Sequence, residues 1–482
     1  MNFKKHLKVI PYLSVISSIA KKKNIDLWLV GGFLRDVYLK KKKELIDFDF
    51  CVEKDVFSVA RAFARGVSSK LIILDRDQGS YRVILKRKNK IFTYDFTLMR
   101  GADFCQDLSL RDFSANTLAV KLNDPKYRLL DFFGARANLN KKVIRFIKEE
   151  VLFHDPLRIL RGFSFMANYD FRIDTETAAA MVKYKCFLKN VSLERISEEL
   201  FKIFAARNSC SAVKRMSDLK IIDEVIAYIS ESRGVVGGPY HHLDVWNHSL
   251  ETLYKFEQLW RRKLSKNKDI YQYFNEELAV GRRRIQILKL ACLLHDVGKP
   301  RAKKRVNKKT IFHTHEKIGR DLAEKIAQNL RLSFREKEFL KKLIFWHLRP
   351  GYLADQVEPS KRAIYRFFRD TAEDGVAVIV LSLSDWRATR GPLIDTKKRK
   401  KHENVMFHLI DLHFKEQKKQ PLSQIVDGYD VMRKFKIKPS PLIGKILRKV
   451  KEEQMLGNVK TKAQAYGIAK KIIELGARVK GQ

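Results

Sequence analysis

The stretch DLWLVGGFLRDVYLKKKKELIDFDF, residues 26–50, constrains the fold more than any other part of this chain. Near its end, Asp47 and Asp49 alternate with Phe48 and Phe50. Alternate side chains of an extended strand point to the same face of a sheet. The pattern therefore predicts a strand that buries its phenylalanines in a core and holds both carboxylates on the opposite face.

The same stretch carries groups suited to a metal ion and a phosphate. Mg²⁺ typically takes one or two protein carboxylates together with substrate phosphates. Gly31 and Gly32 follow an apolar run, and glycines at the start of a helix let backbone N–H groups approach a phosphate. In this order, the glycine pair and the aspartate pair predict a metal-dependent nucleotidyl-transfer site. The alternative is a surface hairpin strand in which Asp and Phe simply alternate.

The charge balance of the chain predicts a polyanionic partner. Among 482 residues, 98 are Lys or Arg and 55 are Asp or Glu, so the formal net charge is 98 − 55 = +43. Neutralising nucleic-acid phosphates releases condensed counterions, which favours binding of basic proteins. A lysine-rich background across a whole proteome would give the same balance, so charge alone does not identify the partner.

Cysteine usage indicates a reducing compartment. The 5 cysteines are scattered, odd in number and never in a CxxC pair, which argues against a disulfide scaffold or a zinc ribbon. No apolar stretch is long enough to span a bilayer. We therefore expect a cytoplasmic protein without a membrane partner, and the sequence does not indicate its oligomeric state.

Hydrophobic periodicity divides the chain into a mixed part and a helical part. Strand-like runs occupy the first 140 residues, and helical spacing begins at about residue 141, with KKVIRFIKEEVLF, residues 141–153, as its first helical run. The glycine-rich segment 232–239 is the best candidate for a linker. The predicted fold class is α+β: a head with a small mixed sheet and helices, followed by all-α regions. The predicted domains are a head at 1–140, a helical neck and body that bind RNA at 141–232, a histidine-bearing helical domain at 240–391 and a helical tail at 392–482.

Two further groups of residues in the first half of the chain have candidate roles. Asp95 shares a strand face with Thr93 and Thr97, so it is either a third metal-binding carboxylate or a solvent-facing strand residue. Arg111 and Arg158 are candidates for binding a triphosphate or a base edge. Other candidates in the same segments are Asp112, Asn116 and Asp155.

Asp155 and Arg158 are one helical turn apart and allow two interpretations. Together they offer acceptors and donors suited to the pairing edge of a base. Alternatively they mark a helix N-terminus, with Asp155 as the cap, Pro156 at the first position and Arg158 in an ordinary ion pair. The two interpretations are compatible.

Histidines cluster in the third quarter of the chain. A histidine on a helix is usually only a polar contact, so each is a weak ligand candidate by itself. The adjacent His295-Asp296 of HDVGK is more specific, because it offers one nitrogen and one oxygen ligand suited to Mn, Fe, Ni or Zn. The other candidates around it are His241, His242, His248, His313, His315, His347 and Asp385.

The motifs GGFLRD, DFD, RDFSANTLA, LLDFFGARANL, DPLRILR and ERISEEL occur in this order. The order resembles that of the class II tRNA nucleotidyltransferase and bacterial poly(A) polymerase family over residues 26 to about 205. The remainder looks like family members with a C-terminal HD domain. The resemblance implies a template-independent enzyme that adds C and/or A to the 3′ end of tRNA from CTP and ATP by a two-metal mechanism. The alternatives are a poly(A) polymerase acting on general RNA, and an HD phosphohydrolase that uses the head as an RNA platform.

The resemblance also implies roles for individual residues of the head. Asp47 and Asp49 would hold Mg²⁺, and Asp155 and Arg158 would read the base of the incoming nucleotide. The remaining implied nucleotide contacts are Gly31, Gly32 and Arg35 on the triphosphate, and Arg111, Asp112 and Asn116 around the nucleotide pocket.

For the HD domain, the resemblance implies an unidentified divalent transition metal. Its ligands would be His248, His295, Asp296 and Asp385. His315 and His347 would complete a second metal position or contact phosphate, and Lys299 would bind a substrate phosphate or remain a surface cation. The alternative is a degenerate domain kept for packing and RNA contact.

The sequence departs from the family pattern in ways that bear on which nucleotide is added. His154 stands where the base-reading motif usually begins with Glu, and Leu110 stands where a first Arg is usual. Ala135 and Asn138 replace expected Gly and Asp. Only TLMRGADFCQDLSL fills the gap between Asp95 and Arg111, where full CCA-adding members carry a longer flexible loop. A shortened loop is typical of the family members restricted to CC addition, so the resemblance implies CC addition here.

Overall fold

The computed structural model describes most of the chain and divides it into two compact units, Met1–Ile226 and Ala227–Gln482. The described residues are 7, 9–41, 46–87, 90–236, 242–307, 309–356, 358–389, 396–418 and 423–478. Part of the predicted linker, and His241, lie outside them. The finer division into head, neck, histidine-bearing domain and tail stays a prediction.

A seven-stranded mixed sheet forms the core of the first unit. Its strands run in the order β3-β4-β5-β2-β1-β6-β7. Their bounds are Leu27–Val30 (β1), Ile46–Val52 (β2), Leu71–Asp75 (β3), Ser80–Arg87 (β4), Lys90–Leu98 (β5), Ala119–Lys121 (β6) and Leu129–Leu130 (β7). The sequence predicts strands in the runs DLWLV, LIDFDFCV, KLIIL, YRVILKRK and IFTYDFTLM, and these are confirmed as β1 to β5.

Strand β2 has the predicted two-faced character. It lies between β1, to which it is antiparallel, and β5, to which it is parallel. Phe48 and Phe50 are 1% and 0% exposed and stack with aromatic rings of β5, including Tyr94. Because side chains alternate, burying these rings leaves Asp47 and Asp49 together on the other face.

Short helices surround the sheet, and longer helices follow it. The first unit contains α1 (Leu13–Lys23), α2 (Gly32–Tyr38), α3 (Val56–Gly66), α4 (Phe104–Ser109), α5 (Ala135–Asn140), α6 (Glu150–His154), α7 (Leu157–Tyr169), α8 (Thr175–Tyr184), α9 (Leu193–Ala205), α10 (Ser209–Asp218) and α11 (Ile222–Val225). Ser114–Asn116 and Lys185–Asn190 form 3₁₀ turns.

Two predicted helical runs are wrong in part. In the run 141–153, Val143–Ile144 forms strand β8 and pairs in parallel with β9 (Arg172–Ile173), so helix begins only at Glu150. β-branched residues suit such pairing, and a distant partner strand decided between the two structures. The run SAVKRMSDLKIIDEVIAYI, residues 211–229, is also predicted to be helical, but it breaks at Lys220, whose φ is 57°, between the end of α10 and the start of α11.

The second unit is mostly helical. Its helices are α12 (Val245–Arg262), α13 (Lys268–Asn275), α14 (Arg284–Leu294), α15 (Lys299–Ala302), α16 (His315–Asn329), α17 (Phe334–Trp346), α18 (Arg349–Asp355), α19 (Lys361–Thr371), α20 (Gly375–Ala388), α21 (Thr396–Gln417), α22 (Gly428–Phe435), α23 (Pro441–Met455) and α24 (Lys462–Arg478). Three further 3₁₀ turns are Ile229–Ser232, Leu264–Lys266 and Ala372–Asp374. Two small ladders, β10–β11 (Glu277–Ala279 with Arg282–Arg283) and β12–β13 (Lys304–Val306 with Lys309–Ile311), were not predicted.

The predicted α+β class is confirmed, with the seven-stranded sheet in the first unit and helices dominating the rest of the described chain. Within the described residues, no helix is both long and apolar enough to cross a membrane. Helix α20 is almost wholly buried, and the last three helices share a small core around Val431, Ile446 and Ala465.

We predict that Phe63→Ala will destabilise the sheet by about 3–5 kcal/mol, since it removes a fully buried ring that packs on Tyr94 and Phe96. Peptide-resolved hydrogen exchange should show faster exchange in β2 and β5 and unchanged exchange in the second unit. Phe334→Ala is the control, since Phe334 is 76% exposed, and it should change stability by less than about 0.5 kcal/mol. Unchanged protection of β2 and β5 in the Phe63 variant would contradict this account of the core.

Candidate functional site

Three carboxylates lie on one face of the head sheet. Asp49 pairs in register with Asp95 of β5, and Asp47 pairs with Thr93. Asp47 is exposed and Asp49 is partly buried. The sheet thus brings together the aspartate pair and the third carboxylate that the sequence singled out.

Gly31 lies directly against this face. It has φ +81° and ψ −147°, a backbone conformation that residues other than glycine rarely adopt. A Cβ at this position would lie 2.7 Å from Asp49 Oδ2, well inside van der Waals contact. Helix α2 begins at the next residue, Gly32, as predicted. Glycine is therefore required where the strand turns into the helix beside the carboxylate.

The electrostatics of Asp49 suit a cation. Burial raises the pKa of this carboxyl, and the neighbouring Asp95 and Asp47 raise it further, while Arg111 and Arg161 oppose the shift. A partly buried carboxylate beside two like charges is stabilised when a divalent cation binds among them. The donor set therefore fits a hard oxygen-liganded ion such as Mg²⁺.

Asp95 already has a partner. Its two carboxylate oxygens accept hydrogen bonds from Arg82 Nε and Nη2 of the adjacent strand, both at 2.7 Å. Such bidentate pairs are among the stronger hydrogen-bonded ion pairs. A metal-binding role for Asp95 stays a prediction, and in this arrangement Arg82 competes for the same oxygens.

Arg35 lies in a buried network. Its guanidinium donates to Asp36, Asn116 and Tyr169, and it stacks over the Tyr169 ring at 4.5 Å. Only 7% of Arg35 is exposed. These contacts support a positioning role, in which Arg35 ties α2 to Asn116, and its predicted triphosphate contact stays a prediction.

Asn116 and Asp112 continue this network, and they bring in a residue that sequence reasoning missed. Asp112 accepts from the Asn116 amide and forms a 2.8 Å ion pair with Arg161. Burial would raise the pKa of Asp112, but Arg161, the Asn116 amide and the Phe113 N–H together hold it below its usual value. Arg161 lies one turn beyond Arg158 in the same motif, and this helical spacing is the sequence feature that could have predicted its place in the site.

Arg111 is held by another residue that was not anticipated. Asp107 is 2% exposed, accepts a hydrogen bond from the Arg100 backbone and lies 3.6 Å from Arg111 Nη2. Arg111 Nε is buried and has no hydrogen-bond partner among the described residues. A buried donor without an acceptor suits an anionic ligand.

Asp155 lies between two arginines. Arg195 Nη2 is 3.3 Å from Asp155 Oδ1, and Arg158 Nε is 3.9 Å from Oδ2. Arg158 also donates to the Leu110 carbonyl at 2.8 Å. Helix α7 begins at Leu157 and has no side-chain cap, so the capping role considered for Asp155 is not observed. The base-reading role stays a prediction that this geometry is compatible with.

The second unit contains a buried cluster of histidines and aspartates. His248 Nε2 lies 2.8 Å from Asp385, and Asp296 lies within 3.9 Å of both His248 and His295. Asp296 also faces His315 and His347, at 3.3 and 3.8 Å. His242 and His313 are exposed and outside this cluster. The four predicted ligands are thus brought together, with Asp296 shared between two groups of candidate ligands.

The histidine rings are oriented as metal ligands usually are. The Nδ1 atoms of His295, His315 and His347 contact backbone carbonyls at 3.0, 2.8 and 2.7 Å. Their Nε2 atoms are buried and have no well-aligned hydrogen-bond partner among the described residues. A carbonyl at Nδ1 fixes the tautomer that leaves Nε2 to bind a metal.

Charge in the cluster is also consistent with a metal. Burial and the neighbouring His295 and His315 lower the pKa of His347 to about 3, so this imidazole is neutral at physiological pH. Burial disfavours a charged His295, but Asp296 and Asp385 raise its pKa to about 10, so this ring holds a proton that a bound metal would displace. Lys299 is buried and lies 2.6 Å from Asp296, which rules out the surface-cation interpretation.

Three family descriptions match consecutive parts of the chain. "Poly A polymerase head domain" matches residues 27–145, "Probable RNA and SrmB- binding site of polymerase A" matches 170–231, and "HD domain" matches 245–389. The head match contains the aspartate pair, and the HD match contains the whole histidine cluster.

Full-length relatives agree with these matches. The chain is 28% identical to the A-adding tRNA nucleotidyltransferase of Deinococcus radiodurans, over 92% of this chain and 95% of the relative. It is 25% identical to the CC-adding tRNA nucleotidyltransferase of Thermus thermophilus, over 91% and 92%. A solved CCA-adding enzyme in complex with CTP shares the fold with a TM-score of 0.67 at 19% identity, covering 98% of this chain and 99% of that one.

The order of motifs, the matched domains and the relatives that align along nearly the whole chain lead to one assignment. They confirm the resemblance of this chain to the class II tRNA nucleotidyltransferase and bacterial poly(A) polymerase family, with a C-terminal HD domain.

Proposed function

We propose that this chain is a template-independent nucleotidyltransferase that adds C and/or A from CTP and ATP to the 3′ end of tRNA. The observation that carries the proposal is the Asp47–Asp49 face of β2 closed by Gly31, in a chain that aligns end to end with tRNA nucleotidyltransferases. We further propose that the enzyme acts in the cytoplasm and that Mg²⁺ is the metal of the head.

The head residues have complementary roles in this proposal. Asp47 and Asp49 hold the metal, and the backbone at Gly31-Gly32 approaches the triphosphate at the start of α2. Arg111, with its buried unpaired Nε, supplies positive charge beside the carboxylates. Asp155 and Arg158 select the base. When bound, the metal stabilises the negative charge that develops on the attacking and leaving oxygens.

The short loop between Asp95 and Arg111 supports an enzyme that adds only part of the CCA end. Asp103 caps the loop helix α4 through Gln106, Asp107 accepts from Arg100, and Phe104 stacks on Trp28 with ring centroids 4.2 Å apart. A loop tied down at three points has little freedom to reshape a base pocket. We therefore propose that the enzyme adds only part of the CCA end, with CC addition as the expected part.

The test is extension of a tRNA transcript that lacks its CCA end, with CTP alone, ATP alone and both. Arrest after two C residues would support CC addition. A full CCA end would overturn the restriction but not the transferase. Addition of A only to a transcript ending in CC would make it an A-adding enzyme, and long A tails on unrelated RNA would make it a poly(A) polymerase. No incorporation under any condition would overturn the proposal.

We predict that Asp49→Asn lowers nucleotide incorporation at least about a hundredfold, because loss of a direct ligand should exceed the 10- to 100-fold effect typical of outer-shell partners. The amide keeps the shape of the side chain but not its charge. RNA affinity, measured by fluorescence anisotropy without nucleotide, should stay within about twofold, since phosphate contacts dominate it. Retained incorporation would place the metal elsewhere.

Gly31→Ala should also impair incorporation, because its Cβ would displace the Asp49 carboxylate. The matched control is Gly134→Ala. Gly134 also has a positive φ, +66°, but a Cβ there would meet no atom within 4 Å. We expect a loss of about tenfold or more in kcat for Gly31→Ala, since about 1.4 kcal/mol of lost stabilisation is enough for that factor. Equal kcat values in the two variants would show that the contact with Asp49 does not matter.

We propose a second activity for the HD domain: metal-dependent hydrolysis of phosphate esters at RNA 3′ ends. The observation that favours it is the convergence of three Nε2 atoms around Asp296, each ring oriented by a backbone carbonyl. We propose a divalent transition metal here, held by His248, His295, Asp296 and Asp385. A bound metal would activate water as the nucleophile.

His295→Ala should lower the content of tightly bound transition metal, measured by inductively coupled plasma mass spectrometry, by about half or more, since loss of a direct ligand should cost at least the tenfold in metal affinity that is typical of losing a supporting partner. Hydrolysis of 2′,3′-cyclic AMP should fall with it, while nucleotide incorporation should not change. His413→Ala is the control, because His413 is also buried but lies outside the cluster. Equal metal content in the two variants would contradict the assignment.

A further inference from the structure

A cluster of aromatic side chains lies at the surface of the first unit, directly before Asp155. We name Phe153, His154, Tyr184 and Phe187 the aromatic shelf. The Phe153 ring is 5.4 Å from Phe187, 6.3 Å from Tyr184 and 5.7 Å from His154, measured between ring centroids. Although it has three ring neighbours, Phe153 remains 53% exposed. The shelf therefore presents an aromatic face to solvent.

The shelf forms one side of a concave pocket whose other side is polar. The pocket is lined by Phe153, Phe187, Asp155, Asn190 and Arg195, among others. Arg195 is 53% exposed at its side chain and lies 3.3 Å from Asp155. Apolar rings on one side, and a carboxylate, an amide and a guanidinium on the other, match the face and the edge of a nucleobase.

An ordinary surface role explains this arrangement less well. Single exposed aromatic residues are common and need no function. Here, however, the rings are grouped, and they adjoin the residue that the transferase proposal uses to select a base. The half-exposed side chain of Arg195 lines the pocket, so a cation is available there for a nucleic-acid phosphate. Base–aromatic stacking combined with a basic surround is the usual way to bind single-stranded nucleic acid.

The positions of the two arginines beside Asp155 indicate which nucleobase would bind in the pocket next to the shelf. Arg158 faces the head, since it donates to the Leu110 carbonyl and interacts with Asp112. Arg195 instead lines the pocket with the shelf. Asp155 thus separates a head side, assigned above to the incoming nucleotide, from a shelf side that is open to another base.

We propose that the aromatic shelf binds the unpaired 3′-terminal nucleobase of the acceptor RNA, which stacks on Phe153 with its edge toward Asn190 and Arg195. This inference rests on the proposed transferase function and deepens it. Phe153 is a positioning residue in this scheme, because it orders the RNA end and takes no part in the chemistry.

The test measures RNA binding without nucleotide, by fluorescence anisotropy, for a minihelix that ends in one unpaired 3′ nucleotide and for the same minihelix shortened by that nucleotide. Phe153→Ala should weaken binding of the first RNA about 5- to 150-fold, the factor that corresponds to the usual stacking energy of about 1–3 kcal/mol per base. Binding of the shortened RNA should stay within about twofold. Phe153→Tyr keeps an aromatic face and should bind both RNAs as the wild type does.

The control variant is Phe334→Ala, which removes an exposed ring in the second unit and should change neither affinity. An equal effect of Phe153→Ala on both RNAs, or no effect on either, would overturn the shelf proposal. A raised KM for CTP with unchanged RNA affinity would also overturn it, because the shelf would then bind the incoming nucleotide.

This binding test is independent of catalysis, so the two proposals fail separately. Wild-type protein that discriminates between the two RNAs through Phe153 but never incorporates nucleotide would refute the transferase and retain the shelf. Wild-type protein that incorporates nucleotide while Phe153→Ala binds both RNAs normally would do the reverse. Circular dichroism and the thermal midpoint of Phe153→Ala should match those of the wild type, because the ring is largely exposed.

Discussion

The head depends on the close approach of a backbone turn to a carboxylate. Gly31 can adopt its positive φ and lie against Asp49 only because it has no Cβ. This contact joins the end of β1 to the face of β2 and sets where helix α2 begins. The carboxylates, the glycine turn and the helix start thus share one location because of a single steric constraint.

Around that contact, hydrogen bonds and ion pairs between acidic and guanidinium groups connect the sheet to the helices that follow it. Asn116 links Arg35 to Asp112, and Asp112 pairs with Arg161 of α7. Arg35 and Asp112 are buried, and buried charges are tolerated only when they are paired or hydrogen-bonded. Removing one partner would leave another charge uncompensated, so the network holds Arg35, Asn116 and Asp112 in a defined arrangement.

In the histidine cluster, too, a buried charge is compensated by its neighbours. Its carboxylate Asp296 is compensated by Lys299 and faces three imidazoles whose Nδ1 atoms contact backbone carbonyls. Orientation by the backbone leaves the Nε2 atoms pointing into a buried space without good acceptors. This is the expected state of ligands arranged for a cation, and the cluster arises from five separate segments of the second unit, which carry His248, His295-Asp296, His315, His347 and Asp385.

Local pattern in the sequence determined the strands of the head, the opposite faces of Asp47 and Phe48, the glycine turn and the candidate ligands, because strand alternation and motif order are readable without partners. Tertiary structure decided the contacts between distant residues, which local sequence pattern does not specify. Val143–Ile144, predicted to be helical, forms strand β8 because it pairs with a distant strand. Asp95 accepts hydrogen bonds from Arg82, and Arg35 lies in a buried hydrogen-bond network. Asp107, Arg161 and Arg195 acquired their partners only on folding. Such outcomes depend on which groups meet across long chain separations, where burial and ion pairing outweigh local preference.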